Sequence, residues 1–151
     1  MAEDVKITIL SENTSEKENL AAEYGLSMWI EADGTDILFD TGMSGAFAKN
    51  AEVLGIDLSK AVHLCLSHGH FDHTGGVALA LEHAPQALVH LHPDAARPKY
   101  LSGGANQSMR IGMPEPAITA IRKETSRCLF MTDVTRITEH VCLTGTIPRK
   151  T

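Results

Sequence analysis

One short stretch of this chain concentrates four potential metal ligands, and no other feature constrains the fold as strongly. His68, His70, Asp72 and His73 lie within six consecutive residues. They follow residues 61–66, an almost wholly apolar run that is typical of a strand covered on both faces. Ligands that hang from the end of such a strand lie in the crevice where open α/β sheets usually bind small molecules. The stretch therefore predicts a sheet whose carboxyl edge carries a metal site.

The rest of the chain alternates between strand and helix patterns. Strands are predicted at residues 5–11, 26–31, 36–40, 61–66, 87–91, 128–131, 134–138 and 140–143. Helices are predicted at residues 44–54, 75–83 and 117–124, while the Gly- and Pro-rich residues 93–116 are predicted as loops with short helical turns. This order predicts one layered α/β domain over residues 1–151.

The donor types in the stretch predict which metals it binds. Neutral imidazole suits Zn²⁺, Fe²⁺ or Mn²⁺, and a carboxylate shifts a site toward oxygen-loving metals. Four donors in so short a segment exceed what one ion usually takes, so we expect two ions. His68 and His70 would hold one, and Asp72 and His73 the other. Zn²⁺ is the expected metal, with Fe²⁺ or Mn²⁺ as alternatives, and a metal-bound hydroxide would be the nucleophile.

The same stretch resembles a known family. Residues 67–76 have the sequence SHGHFDHTGG, which matches the H-x-H-x-D-H motif of the metallo-β-lactamase superfamily. Residues 38–42, with Asp40 at their centre, resemble a second landmark of that superfamily. The resemblance implies an αββα sandwich and hydrolysis of an ester or phosphodiester-type substrate, with Asp72 as the catalytic residue that orients the nucleophile. It also implies that Asp40 orients a ligating histidine; a turn aspartate without a metal role is the alternative.

Further segments resemble one branch of the superfamily, often named dihydropterin (methanopterin-pathway) synthase-like. The matching segments are residues 11–14, 22–27, 91–95, 98–100 and 143–149. The resemblance implies a small-molecule substrate, and in that branch the substrates are phosphorylated pterin precursors. His92 is the histidine most expected to face the site and contact substrate; a polar or core histidine is the alternative.

The resemblance covers only the N-terminal half of the superfamily's fold. Members resemble two αβ halves packed face to face, and the second half supplies the remaining metal ligands. No histidine follows His140 in this chain. We therefore expect a truncated domain with partial metal occupancy and an exposed apolar sheet face, which would pair in a homodimer or with a missing C-terminal half. A catalytically incomplete metal-binding module that functions through association is the alternative function, and a redox di-iron centre is a third.

Composition excludes several other classes. The net charge of −6 gives no electrostatic basis for binding nucleic acid or an anionic membrane. No apolar stretch is long enough for a secretion signal or a membrane span. Cys65, Cys128 and Cys142 are odd in number and form no C-x-x-C pattern. We expect reduced cysteines and a cytoplasmic location.

Overall fold

The computed structural model describes residues 5–103 and 107–148. Ten strands are present in these ranges: β1 (Lys6–Ser11), β2 (Ser27–Ala32), β3 (Thr35–Phe39), β4 (His63–Cys65), β5 (Leu88–Leu91), β6 (Tyr100–Gly103), β7 (Gln107–Arg110), β8 (Cys128–Phe130), β9 (Thr135–Arg136) and β10 (Cys142–Leu143). The α-helices in the same ranges are α1 (Ala46–Val53), α2 (Phe71–Thr74), α3 (Val77–His83) and α4 (Glu115–Lys123). The mixed α/β fold class predicted from the sequence is confirmed.

Six of the strands form one sheet in the order β1-β2-β3-β4-β5-β8. The first three are joined by antiparallel pairing, and β3, β4, β5 and β8 run parallel to one another. Strands β6 and β7 form a separate hairpin, and β9 and β10 form another small sheet. The hairpin lies within residues 93–116, where the sequence predicted loops, so that prediction was wrong for this segment.

The hydrophobic core lies between the sheet and the helices. Trp29, Leu38, Leu64 and Val89 point to this side and belong to one buried cluster. The helices contribute further core side chains, which are Phe47 and Ala51 from α1, Val77 and Leu81 from α3, and Ile118 and Ile121 from α4. Burial of these apolar side chains is the main stabilising term of the fold.

Because side chains alternate along a strand, the sheet has a second face. We call it the second face and define it by Ile7, Ile9, Met28, Ile30, Phe39, His63, Cys65, His90 and Leu129. Cys65 and His90 are buried at its centre, whereas Ile7 and Ile9 on the edge strand are 56% and 44% exposed. No helix in the described ranges is long and apolar enough to cross a membrane.

Candidate metal centre

Three neighbouring parallel strands bring the predicted site residues to one edge of the sheet. Asp40 directly follows β3, His68 lies three residues after the end of β4, and His92 directly follows β5. Because β3, β4 and β5 are parallel, their carboxyl ends meet at this edge. After His70 the chain enters helix α2, which carries Asp72 and His73.

The four predicted metal ligands are neighbours in space. The ring centroids of His68 and His70 are 4.5 Å apart, and those of His68 and His73 are 4.3 Å apart. The Nε2 atom of His73 lies 3.6 Å from Oδ2 of Asp72. In the described part of the chain, however, no group of three or more His, Cys, Asp or Glu side chains is arranged so that it could hold a metal ion. The donors are assembled, but the described residues do not present a complete site.

Asp40 makes hydrogen bonds that hold this cluster in position. Its side chain is fully buried, with 0% exposure, and its backbone has a φ of +54°. Its Oδ1 accepts a hydrogen bond from the backbone N–H of Ser67 at 2.8 Å, and its Oδ2 accepts one from the Ser67 hydroxyl at 2.6 Å. Oδ2 also lies 2.7 Å from Nδ1 of His73. One carboxylate therefore ties the end of β4 to a predicted ligand.

The hydrogen bonds around Asp40 determine which ring nitrogens are available to a metal. The Ser67 hydroxyl donates to Asp40, so at 2.9 Å it can only accept from Nδ1–H of His68. The Nδ1–H of His73 donates to Asp40 in the same way. Both imidazoles then have Nε2 as the nitrogen free of these bonds. This tautomer follows from the hydrogen-bond network.

The charges in the cluster also fit a cation. The lone pair on Nε2 of neutral His73 and the carboxylate of Asp72 lie side by side at 3.6 Å, and two acceptors at this distance favour a proton or a metal ion between them. The hydrogen bond to Asp40 raises the pKa of His73. Burial, and then the charges of the neighbouring histidines, lower the pKa of His68, which favours the neutral imidazole that binds metals. The donor types and their charges therefore suit a divalent metal ion.

Close backbone packing fixes the loop that carries these donors. A Cβ atom at Gly69 would lie 1.8 Å from the carbonyl oxygen of Ala95, so only glycine allows this approach. The Thr74 hydroxyl donates to the carbonyl of His70 at 2.7 Å, and the backbone N–H of Thr41 donates to that of His73 at 2.9 Å. The loop is held by its backbone as well as by Asp40.

His92, the predicted substrate contact, is engaged by the protein, and Cys65 at the end of β4 is buried. Nδ1 of His92 accepts from the backbone N–H of Asp94 at 3.1 Å, and its Nε2 donates to the Thr146 hydroxyl at 2.9 Å. This side chain therefore joins the end of β5 to residue 146, and its contact with substrate stays a prediction. Burial raises the pKa of the Cys65 thiol to about 12, with a smaller contribution from the Asp40 charge, so the thiol stays protonated.

Ser67 is the site residue that the sequence did not single out. Its backbone N–H and hydroxyl both bind Asp40, and its hydroxyl also contacts His68. A hydroxyl residue directly before the first histidine was the available signal. Serine is so common at strand ends that its position alone did not distinguish it.

Comparison with known proteins gives consistent matches. The model of the family described as the metallo-beta-lactamase superfamily matches residues 20–141. An uncharacterized protein of Methanocaldococcus jannaschii is 28% identical over 145 residues, which are 95% of this chain and 54% of that protein. A crystal structure described as a metal-dependent hydrolase of the beta-lactamase superfamily is 27% identical with a TM-score of 0.71, over 94% of this chain and 48% of that one.

A metallo-beta-lactamase from Novosphingobium pentaromativorans is 19% identical with a TM-score of 0.50, over 77% of this chain and 42% of that one. At this identity the likeness concerns the fold alone. The chain spans about half the length of the relatives it matches.

Proposed function

Because this chain belongs to the metallo-beta-lactamase superfamily, we propose that it carries the metal-binding loop of a metal-dependent hydrolase. The observation that supports this most strongly is the contact between Asp40 and His73 under a cluster of three imidazoles and a carboxylate. A similar solved structure, of which this chain covers about half, is described as a metal-dependent hydrolase. Hydrolysis of a small ester or phosphodiester is the proposed reaction.

His68, His70, Asp72 and His73 are the proposed ligands, and Zn²⁺ is the proposed metal, with two ions in the complete site. A bound divalent metal supplies a Lewis acid that lowers the pKa of water and stabilises negative charge developing on the substrate. His68 and His73 would use Nε2, because their Nδ1 atoms are directed to Ser67 and Asp40. The remaining ligands would come from a partner half or a second copy of the chain.

The residues of the chain itself would orient the reaction. Asp40 fixes the ring of His73 and, through Ser67, that of His68. The carboxylate of Asp72 is only 15% exposed and lies beside Nε2 of His73. We propose that it accepts a hydrogen bond from the attacking water and so holds that water toward the substrate. His92 is proposed only as a peripheral substrate contact, since both of its ring nitrogens already have partners.

The finer assignments are also proposals. The dihydropterin synthase-like branch, proposed from the segments quoted above, would make a phosphorylated small molecule the substrate. A cytoplasmic location is proposed because all three cysteines are free, and Cys142 is exposed as a thiol.

Metal analysis and a hydrolysis assay test the proposal. The full 151-residue chain is loaded with Zn²⁺, bound metal is counted per chain, and turnover of bis-p-nitrophenyl phosphate is followed. We expect His68→Ala and Asp72→Ala to abolish turnover and His83→Ala, an exposed histidine at the end of α3, to retain it. Turnover that survives in both loop variants would show that another site or a contaminant is responsible.

A second candidate function rests on two observations. The described residues contain no arrangement of three or more metal donors, and Ile7, Ile9 and Leu129 leave apolar area of the second face exposed. These features favour an incomplete metal-binding module that functions by association with a second copy or a separate C-terminal half. Sedimentation equilibrium decides: a metal-poor, inactive dimer that Ile7→Lys dissociates supports the module, and an active monomer excludes it.

A further inference from the structure

Two separate chain segments hold the backbone of helix α2 at its predicted metal ligands. The carbonyl oxygen of His73 accepts from the backbone N–H and the hydroxyl of Thr41, at 2.9 and 3.0 Å. The backbone N–H of Leu26 donates to the carbonyl oxygen of Asp72 at 3.4 Å. A Cβ atom at Gly25 would lie 1.7 Å from that oxygen, so the two backbones are in close contact. Both ligands of α2 are therefore held through their backbones as well as through their side chains.

One carboxylate, that of Glu23, joins these two segments to each other. Its Oε1 accepts from the backbone N–H groups of Met43 and Ser44 at 3.0 and 3.2 Å, and its Oε2 accepts from the Ser44 hydroxyl. A Cβ atom at Gly42 would lie 2.3 Å from Oε1, so the carboxylate lies directly against the backbone of the turn. Hydrogen bonds to a charged acceptor are roughly twice as strong as bonds between neutral groups. Glu23 is therefore a strong link between the segments.

The joined segments, residues 23–26 and 41–44, also bond to each other and to α2 through their backbones. The N–H of Gly42 donates to the carbonyl of Leu26 at 2.9 Å, and the N–H of Gly75, directly after α2, donates to the carbonyl of Gly42 at 2.9 Å. We call the two segments together the brace. A shift of either segment would move the backbone on which the helix rests.

We propose that Glu23 is a positioning residue of the metal centre, which acts through the brace rather than by touching metal or substrate. The inference rests on the proposed function, because it assigns Glu23 to the ligands Asp72 and His73 named there. Asp40 fixes the ring of His73, whereas Glu23 holds together the segments that fix the backbone of both ligands. Supporting contacts of this kind matter because a site that is about 1 Å too loose loses its function.

Asp57 provides the comparison with a carboxylate that adds only to overall stability. Its Oδ1 accepts from the backbone N–H and the hydroxyl of Ser59 at 3.0 and 2.6 Å, the same two donor types that Ser44 offers to Glu23. It precedes the short helical turn Leu58–Lys60 and strand β4, at the end of that strand opposite to the metal loop. Asp57→Ala therefore removes a comparable set of hydrogen bonds and leaves the brace intact.

Amide hydrogen exchange of the metal-free full chain tests the brace without an activity assay. Exchange at Gly75 and Thr41 is compared with exchange at Leu66, whose N–H is bonded to strand β5 and reports opening of the sheet. We expect Glu23→Ala to raise this ratio about tenfold, the effect of one lost hydrogen bond to a charged group. Asp57→Ala should leave the ratio within about twofold of the wild type.

Two milder variants keep the test usable if Glu23→Ala does not fold. Glu23→Gln keeps an oxygen that can accept from both backbone N–H groups, so it should restore most of the protection at Gly75. Ser44→Ala removes a single donor to the same carboxylate, so it should raise the exchange ratio by a smaller factor than Glu23→Ala.

Zn²⁺ affinity gives the second readout, by competition with a chelating dye. The dissociation constant should rise about three- to tenfold in Glu23→Ala, which is less than the loss of about 10- to 100-fold expected when a direct partner of a ligating histidine is removed. It should return toward the wild-type value in Glu23→Gln and stay within about twofold of it in Asp57→Ala.

The proposal is overturned if Glu23→Ala leaves the exchange ratio at Gly75 unchanged, or if Asp57→Ala changes it as much. It is also overturned if the ratio rises while Zn²⁺ binds as tightly as to the wild type. A wild type that binds no Zn²⁺ would reject the metal-dependent hydrolase instead, and the exchange ratio alone would then decide whether Glu23 positions Asp72 and His73.

Discussion

Replacing Asp40 by Asn tests whether this carboxylate orients the metal ligands. The side chain is fully buried at the end of the central strand β3, and its φ of +54° is in the left-handed region. Asparagine adopts that region readily and has nearly the same shape. Asp40→Asn therefore changes the hydrogen bonds and leaves the backbone and the packing in place.

The expected loss can be worked from three hydrogen bonds. The Asn Oδ1 still accepts from the backbone N–H of Ser67, and its amide can donate to the Ser67 hydroxyl. The same amide cannot accept from Nδ1–H of His73, which lies 2.7 Å away. Losing one hydrogen bond to a charged acceptor and leaving its donor unpaired should lower the free energy of unfolding by about 1.5–3 kcal/mol. Zn²⁺ affinity should fall about 10- to 100-fold, as is usual when the partner of a ligating histidine is removed.

Asp33→Asn is the matched control. Asp33 also has a positive φ, +52°, and its carboxylate also accepts three hydrogen bonds, from the Thr138 hydroxyl and from the backbone and ring of His140. It lies at the β2–β3 turn, at the other end of β3 from Asp40. Urea unfolding of the metal-free chains should show a loss in both variants.

Competition with a chelating dye then measures Zn²⁺ affinity, which should fall in Asp40→Asn and stay unchanged in Asp33→Asn. The reasoning is refuted if Asp40→Asn binds Zn²⁺ within threefold of the wild type. It is equally refuted if Asp33→Asn loses as much affinity as Asp40→Asn.

Three further predictions concern stability. Gly25→Ala should lower the urea midpoint and weaken Zn²⁺ binding, because its Cβ would overlap the Asp72 carbonyl; an unchanged midpoint would contradict this packing. Zn²⁺ at 100 times its dissociation constant should raise the free energy of unfolding by about 2.7 kcal/mol, as measured by urea unfolding. The same Zn²⁺ concentration should stabilise His73→Ala much less. Burial holds the pKa of His90 in the folded chain at about 4. As the pH falls below about 6.5, His90 is therefore protonated in the unfolded chain while it is still neutral in the folded chain. The contribution of His90 to the free energy of unfolding should therefore drop by about 2 kcal/mol between pH 8 and pH 5, and His90→Gln should flatten the slope measured by urea unfolding by that amount.

The sequence predicted that the candidate ligands lie close together, because the signal for this was local. His68, His70, Asp72 and His73 are close in the chain, so one tight turn is enough to bring them together. The alternation and the apolar runs likewise placed the sheet strands within a few residues of their positions. Asp40 reached the same edge because β3 and β4 are parallel, an arrangement that the strand order already favoured.

The features that the sequence did not predict depend on long-range packing. Asp33 and His140 are 107 residues apart, and no local pattern signals their contact. Tyr24 and Phe71 meet only because the loop after β1 folds over the metal loop. Glycine and proline in residues 93–116 indicated a loop, yet pairing between β6 and β7 overrode those local preferences.

Strand β3 explains why the donor cluster is assembled in a chain that holds no complete set of ligands among its described residues. It lies inside the sheet, pairs with β2 on one side and β4 on the other, and ends at Asp40. Displacing Asp40 would break its backbone hydrogen bond to Cys65 as well as its bonds to Ser67 and His73. We therefore expect the sheet, rather than a bound metal, to position the imidazoles, in contrast to small domains that fold only around zinc. Completing the coordination then requires small side-chain movements and additional ligands rather than a new backbone, so the metal-free chain should keep its sheet.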